Sequence, residues 1–293
     1  MGGPAHLRAA VRGAALLATT LFLALAQLCA MRVSPPSVRH LLRHWHRACG
    51  RILDMDVRAH GAPAGTGPVI FVCNHASYLD VPVLGGLIDA RFVAKSEVAG
   101  WPVIGALSRL QGTIFIERRF QGARGQPDEL RRALRSGDRL VLFPEGTSSD
   151  GNRVLPFKST LFAAADAAVA GAEVKVQPVT IAYSRHKGLP MGRRLRPHFA
   201  WYGDMTLVDH LWACLGIGGA GIDVVFHEPV RLSQFTSRKA LAQHCQGQIA
   251  RGLSDALSGR MVYRPAAEAR FSKGQLMLPV WLNSAVLETG QEM

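Results

Sequence analysis

The chain has 293 residues, 48% of them hydrophobic, with 34 Lys plus Arg against 21 Asp plus Glu and a formal charge of +13. That length supports one large domain or two small ones with a real core, and the apolar content excludes a disordered protein. A positive excess of this size must face something negative: nucleic acid, anionic lipid or a phosphorylated substrate.

The first element separates these partners. From Gly13 to Met31 the sequence GAALLATTLFLALAQLCAM carries no charge. About nineteen residues at 1.5 Å each nearly cover a hydrocarbon core of about 30 Å, which predicts a membrane helix. Arg8 and Arg12 precede it, and Arg32, Arg39, Arg43, Arg47 and Arg51 follow. The heavier basic flank places the main domain on the cytoplasmic face of the inner membrane. A cleaved signal peptide ending at Ala24–Ala26 fits less well, because the apolar run is long for such a segment.

A second helix is predicted over Ser37–Asp54, after a break at Pro35 and Pro36 with Ser37 as N-cap. Val38, Leu41, Leu42, Trp45, Cys49, Ile52 and Leu53 recur at helical spacing, and Arg39, Arg43, Arg47 and Arg51 form a ladder. A basic amphipathic helix bearing a tryptophan suits an interface with anionic headgroups. The competing reading is a helix packed on its own domain with solvated arginines.

Beyond it, strands and helices alternate. Strands are expected at 68–72, 91–94, 113–117, 139–144, 174–183 and 222–230, and helices at 81–88, 127–136, 157–170 and 237–257. The expected fold is therefore α/β: a central, mostly buried sheet flanked by helices, preceded by the membrane helix and the interfacial amphipathic helix. The expected division is 1–60 for the membrane-associating helices, 61–260 for the catalytic domain and 261–293 for a tail bearing the apolar patch LMLPVWL.

Polar residues gather where strands end: Asn74 and His75, then Glu117 to Arg119, then Glu145 to Ser148. In α/β sheets the carboxyl ends of strands build the site. His75 with Asp80 five residues on can be a base and its orienting carboxylate. The spacing alone favours a local reading instead: Ser77 to Asp80 matches a loose capping box, or Asp80 itself caps a helix with Pro82 in its first turn. Neither a GxSxG elbow nor a Walker A loop is present. Five scattered cysteines, without CxxC or metal-ligand spacing, point to a reduced compartment rather than a disulfide framework.

Taken in order, NHASYLD, GTIFIERR, FPEGTSSDG and VQPV resemble the four motifs of the lysophospholipid acyltransferase family, the group of 1-acylglycerol-3-phosphate acyltransferases. The resemblance runs from about Pro68 to Val230. FPEGTSSDGNRVLPFKSTLF and GLPMGRRLRP resemble bacterial members that acylate lysophosphatidic acid or lyso-ornithine lipid. The resemblance implies that His75 takes the proton from an acceptor hydroxyl, that Asp80 orients His75, and that the hydroxyl attacks an acyl thioester directly. It places Lys95 where a lysine can polarise the thioester carbonyl, Gly112 at a tightly packed turn, and Arg118 on the acceptor phosphate. Glu145, Gly146 and Thr147 belong to the third motif, which lines the acceptor site, and Pro178 to the fourth, which shapes the acyl pocket. Membrane lipids and acyl-CoA or acyl-carrier protein are the implied partners, with no cofactor, metal or nucleic acid; no signal for oligomeric state is present.

One departure matters. Where much of the family has an arginine in the third motif, this chain has Ser148. The implied acceptor is 1-acyl-sn-glycerol-3-phosphate, giving phosphatidic acid. The missing cation equally admits a lyso-ornithine lipid, with Arg153 and Lys158 as replacement cations for a phosphate. A remoter alternative is a thiol hydrolase with Cys73 as nucleophile, disfavoured on the expectation that strand alternation turns Cys73 and His75 apart. A non-enzymatic basic binding protein leaves the four ordered motifs unexplained.

Overall fold

The computed structural model describes residues 2–33, 35–65, 67–117, 126–166, 168–169, 172–261 and 265–271. The N-terminal half forms α1 (Gly3–Val33), α2 (Pro35–Ile52), β1 (Asp56–His60), β2 (Val69–Cys73), α3 (Asp80–Leu87), β3 (Arg91–Lys95), α4 (Ser96–Ala99), α5 (Ile104–Leu110), β4 (Ile114–Ile116), α6 (Gln126–Arg135) and β5 (Leu140–Leu142). A 3-10 segment (Ser159–Asp166) and the short pair β6 (Ala168–Val169) and β7 (Ala172–Glu173) lead into the long β8 (Lys175–His186). β9 (Leu189–Pro190), α7 (Leu207–Ile217), β10 (Ala220–Phe226), β11 (Val230–Arg231), α8 (Arg238–Ser258) and β12 (Pro265–Phe271) complete the order.

The main sheet runs β12-β1-β10-β8-β2-β5-β3-β4. β2 lies at its middle, parallel to β8 on one side and to β5 on the other. Its five residues VIFVC are all buried, as a central strand covered on both faces requires. Val69, Phe71 and Cys73 face one core layer, with Val83 and Leu84 of α3 and Leu215 of α7. Ile70 and Val72 face the other, with Leu134 of α6, Phe162 and Ile249 of α8. The α/β expectation is met, with each predicted strand found within a few residues of its expected bounds.

Four differences have physical causes. β1 (DVRAH) hides behind Asp56 and Arg58, yet it pairs in parallel with β10 and so joins the sheet. β12 (PAAEARF) holds residues depleted in strands and exists through antiparallel pairing with β1. α7 is a short apolar helix seated against α1. The helix expected over 157–170 is a 3-10 segment over Ser159–Asp166.

α1 is longer than its apolar run, and it lies along the domain. His6 accepts from the indole of Trp212 at 3.1 Å, and Arg12 donates to the Leu215 carbonyl at 2.9 Å and pairs with Asp54 at 2.9 Å. Further along, Thr20 accepts from the indole of Trp45 at 3.0 Å, and the buried Gln27 donates to the Leu110 carbonyl. These contacts span about 31 Å of helix at 1.5 Å per residue. The opposite side exposes Leu7, Val11, Leu17, Leu21, Phe22 and Leu25. Val208 and Trp212 of α7, with Trp101, Val103 and Met205, add further exposed apolar surface.

α2 packs on α3 as well as on α1. Two arginines of its ladder bond to the domain: Arg39 to Asp138 at 2.8 Å, and Arg47 to the Gly86 carbonyl at 3.0 Å. His46 is buried against α3, and burial lowers its pKa to about 3, so the ring is neutral. It rests on Gly85: an added Cβ there would sit 2.3–2.6 Å from the imidazole. Gly85→Ala is therefore expected to lower stability by about 1–3 kcal/mol, the scale of overpacking. Denaturant unfolding checks this; an unchanged midpoint would mean that α2 does not depend on this contact.

Candidate active site

β2 ends at Cys73, and the chain emerges from the carboxyl end of the sheet's central strand. Asn74 continues the pairing with its side chain, accepting from Ile181 N at 2.8 Å and donating to Ile181 O at 2.9 Å. His75 is then clamped by the third motif. Its N–H donates to Glu145 Oε1 at 2.9 Å, its carbonyl accepts from Ser149 N at 2.9 Å, and its ring stacks on Phe143 at 4.1 Å between centroids.

The second oxygen of Glu145 accepts from Leu155 N at 3.1 Å. Burial pushes the Glu145 carboxyl up to about 8, while its two backbone N–H partners pull the other way. Glu145 thus joins the catalytic loop to the third motif. Glu145→Gln keeps one acceptor but turns an amide N–H₂ towards a buried N–H. It is expected to cost about 1–3 kcal/mol of stability and to lower turnover more than it raises KM. Wild-type kcat at wild-type stability would show that the clamp does not position His75.

Asp80 is fully buried and serves His75. His75 Nδ1–H donates to Asp80 Oδ2 at 2.8 Å, which also accepts from Ala76 N at 2.8 Å and Ser77 N at 3.0 Å. Tyr183 O–H donates to Asp80 Oδ1 at 2.8 Å. Half of the capping reading holds: Asp80 Oδ2 accepts from Ser77 N, but among the described residues Ser77 Oγ has no hydrogen bond, and α3 has Leu79 at its N-cap position without a side-chain cap. The carboxylate reaches back to the loop that carries His75. With Nδ1–H fixed on Asp80, Nε2 keeps its lone pair for a proton.

His75 is 21% exposed and lines a cavity of about 270 Å³. Leu23 of α1, Leu42 and Trp45 of α2, and Leu107 and Leu110 of α5 help to wall it. The N-terminal helices therefore complete an apolar chamber beside His75. A chamber of this composition suits a lipid chain.

The other expected residues are placed as follows. Gly146 adopts φ +67°, and an added Cβ would stand 2.8 Å from Lys158 Nζ, so Lys158 lies over the third motif. Thr147 is exposed beside it. Ser148 Oγ donates to the Trp201 carbonyl. Gly112 is required by its φ of +75° rather than by close packing, since an added Cβ meets nothing nearer than 3.5 Å. Lys95 ends β3 and is not among the residues lining the cavity. Pro178 stands opposite Val72 and does not line the cavity either. Its neighbour Gln177 bonds to Ala64 N, Ala62 O and His227 O, so the fourth motif holds loops together. Arg118 and Arg119 lie outside the described residues, as does the patch over 276–282.

Cys73 is no nucleophile. Its thiol is fully buried in the core, and burial together with Asp80 pushes its pKa up. The alternation argument against it is incorrect, because residues two apart on a strand share a face; burial is the reason.

The motifs did not point to several working residues. Tyr183 lay inside a strand and Phe143 at the edge of a motif, and both touch the dyad only through the fold. Arg196, buried, donates to the carbonyls of Tyr183 at 2.9 Å and Met191 at 2.6 Å and to Asn152 Oδ1, so it ties β8 to the third-motif loop. The arginine-rich run after Met191 was its only sequence signal.

A family model described as Acyltransferase matches residues 56–182, from β1 through most of β8. The lyso-ornithine lipid O-acyltransferase of Rhizobium meliloti (strain 1021) is 41% identical over 86% of this chain and 88% of its own length. That of Brucella abortus (strain 2308) is 43% identical over 85% and 95%. The 1-acyl-sn-glycerol-3-phosphate acyltransferase of Neisseria gonorrhoeae is 31% identical over 70% and 78%. The crystal structure of the 1-acyl-sn-glycerophosphate (LPA) acyltransferase PlsC from Thermotoga maritima shares the fold, with a TM-score of 0.58 at 22% identity over 86% of this chain and all of that one. A histidine oriented by a buried carboxylate, beside an apolar chamber, is the equipment for acylating a lipid hydroxyl, and likeness along most of the chain agrees: the protein belongs to the acyltransferase family, as a lysolipid O-acyltransferase.

Proposed function

We propose that the acceptor is a lyso-ornithine lipid. The observation that carries this reading is Ser148, whose hydroxyl is turned to the Trp201 carbonyl where a phosphate-binding arginine is expected. An acceptor phosphate lacking one charge-assisted partner loses on the order of tenfold in affinity. The names of the relatives from Rhizobium and Brucella support the same acceptor.

The step follows from the dyad. His75 Nε2 takes the proton of the acceptor hydroxyl as its oxygen attacks the thioester carbonyl, and Asp80 stabilises the imidazolium. The C–O bond forms, the tetrahedral intermediate collapses, the C–S bond breaks, and the imidazolium returns its proton to the departing thiolate of CoA or an acyl-carrier protein. For the oxyanion our candidate donor is Lys95, at the end of the strand whose Phe92, Val93 and Ala94 line the cavity. The exposed leucines of α1 face the lipid, which delivers both substrates laterally to the chamber.

A second acceptor, 1-acyl-sn-glycerol-3-phosphate, is favoured by Lys158 over Gly146 and by the motif position of Arg118. An acyl-transfer assay with both acceptors side by side decides between them. We expect kcat/KM about tenfold higher for lyso-ornithine lipid; the opposite ratio would assign phosphatidic acid synthesis.

A further inference from the structure

Of the aromatic rings that share the cavity wall with His75, three lie together: Tyr78, Trp101 and Trp201. Trp201 stands between the other two, 5.9 Å from Tyr78 at 70° and 5.7 Å from Trp101 at 82°. Rings so nearly perpendicular build a corner. Trp101 is 37% exposed, so the corner is open at its edge.

The corner is fixed to the catalytic loop. Trp201 N–H donates to the Ala76 carbonyl at 2.8 Å, one residue after the base, and the Trp201 carbonyl accepts from Ser148 Oγ. The polar handles of Trp201 and Tyr78 are engaged elsewhere. Trp201 Nε1–H donates to the Met205 carbonyl at 2.9 Å, and Tyr78 O–H bonds to His210 Nδ1 at 3.0 Å. The π surfaces are therefore what Tyr78 and Trp201 have left to offer a ligand. Such surfaces carry negative potential on their faces, so they attract a cation and offer a phosphate nothing.

We infer that the corner of Tyr78, Trp101 and Trp201 is the subsite for a cationic acceptor headgroup, the side-chain ammonium of ornithine, and that Ser148 sets it by holding Trp201 in place. One residue thereby does two things: it removes a cation that would bind phosphate, and it anchors the ring that binds an ammonium. The inference rests on the lyso-ornithine reading above. An ammonium at the open edge of the corner keeps part of its hydration while contacting the rings, which lowers the cost of leaving water.

The test uses the full chain in mixed vesicles and two acceptors with the same reactive hydroxyl. One is lyso-ornithine lipid and the other its side-chain N-acetylated counterpart, which has no cation. In the wild type, acetylation should raise KM about tenfold, the scale of a partly desolvated cation–ring contact. In Trp201→Leu the two acceptors should agree within about twofold, because the double-mutant cycle removes the coupling. Trp201→Phe keeps a π face and should retain most of the difference, which guards against a folding defect. Ser148→Ala, which frees the Trp201 carbonyl, should fall between the two. If acetylation costs the same in wild type and Trp201→Leu, or nothing in wild type, the rings merely line the lipid path and the inference is overturned. A wild type that acylates lysophosphatidic acid but not lyso-ornithine lipid would instead overturn the acceptor reading itself.

Discussion

His75→Ala is expected to lower kcat by about 10²–10⁴-fold, the usual contribution of a positioned general base. The loss should come with an unchanged fold, because the ring is partly exposed and lines a cavity, while the loop is held by backbone bonds to Glu145 and Ser149 that alanine keeps. Cys73→Ser is the companion measurement. Its thiol is buried, and burial holds it protonated, so turnover per folded molecule should stay within a few-fold of wild type. Steady-state acyl transfer alongside far-UV circular dichroism reads both variants. A silent His75→Ala with an inactive Cys73→Ser would remove the proposed mechanism.

Asp80→Asn is expected to be nearly as damaging, and in two ways at once. The carboxylate accepts from His75 Nδ1, two backbone N–H groups and the Tyr183 hydroxyl, all in a site without solvent. An asparagine has one acceptor oxygen; with that oxygen on the three N–H groups, its N–H₂ faces the Tyr183 hydroxyl, whose own O–H loses its acceptor. The neutral side chain also fails to stabilise an imidazolium, so kcat should fall by about 10²-fold or more. Leaving buried donors unsatisfied should cost about 1–3 kcal/mol of stability. Tyr183→Phe separates the two effects, since it removes one donor and leaves the charge and the His75 bond intact; it should cost far less in kcat than Asp80→Asn. Should Asp80→Asn keep both activity and stability, the partnership with His75 is wrong.

The strands were legible because their signal is local, and the dyad only through the resemblance carried by the four ordered motifs. A buried central strand must be an apolar run, and VIFVC is one. A base with its orienting carboxylate five residues on fits within a single turn-and-helix segment, so the whole pair lies in NHASYLD. The third motif was legible as a motif but not as a device. That Glu145 clamps the backbone of His75 depends on β5 lying beside β2, which no spacing states. β12 illustrates the opposite failure: its residues have little preference for a strand, and only the free edge of β1 gives them one. α2 was readable either as interfacial or as packed on its own domain. Burial of His46 on Gly85 and the bonds of Arg39 and Arg47 tie it to the domain, while its amphipathic pattern is the same in either case.

What the sequence by itself determined is therefore an α/β sheet, a histidine with a carboxylate five residues on, and an apolar N-terminus beside a basic surface. Those properties follow from residue type and short-range periodicity. The tertiary structure alone decided what surrounds His75. It laid α1 along the domain through contacts from His6 to Gln27, closing an apolar chamber over His75. It also turned Ser148 to the carbonyl of Trp201, 53 residues later, and so built an aromatic corner where a cation was expected. Contacts between residues so far apart arise from packing the layers together, and a pattern confined to neighbouring residues carries no record of them.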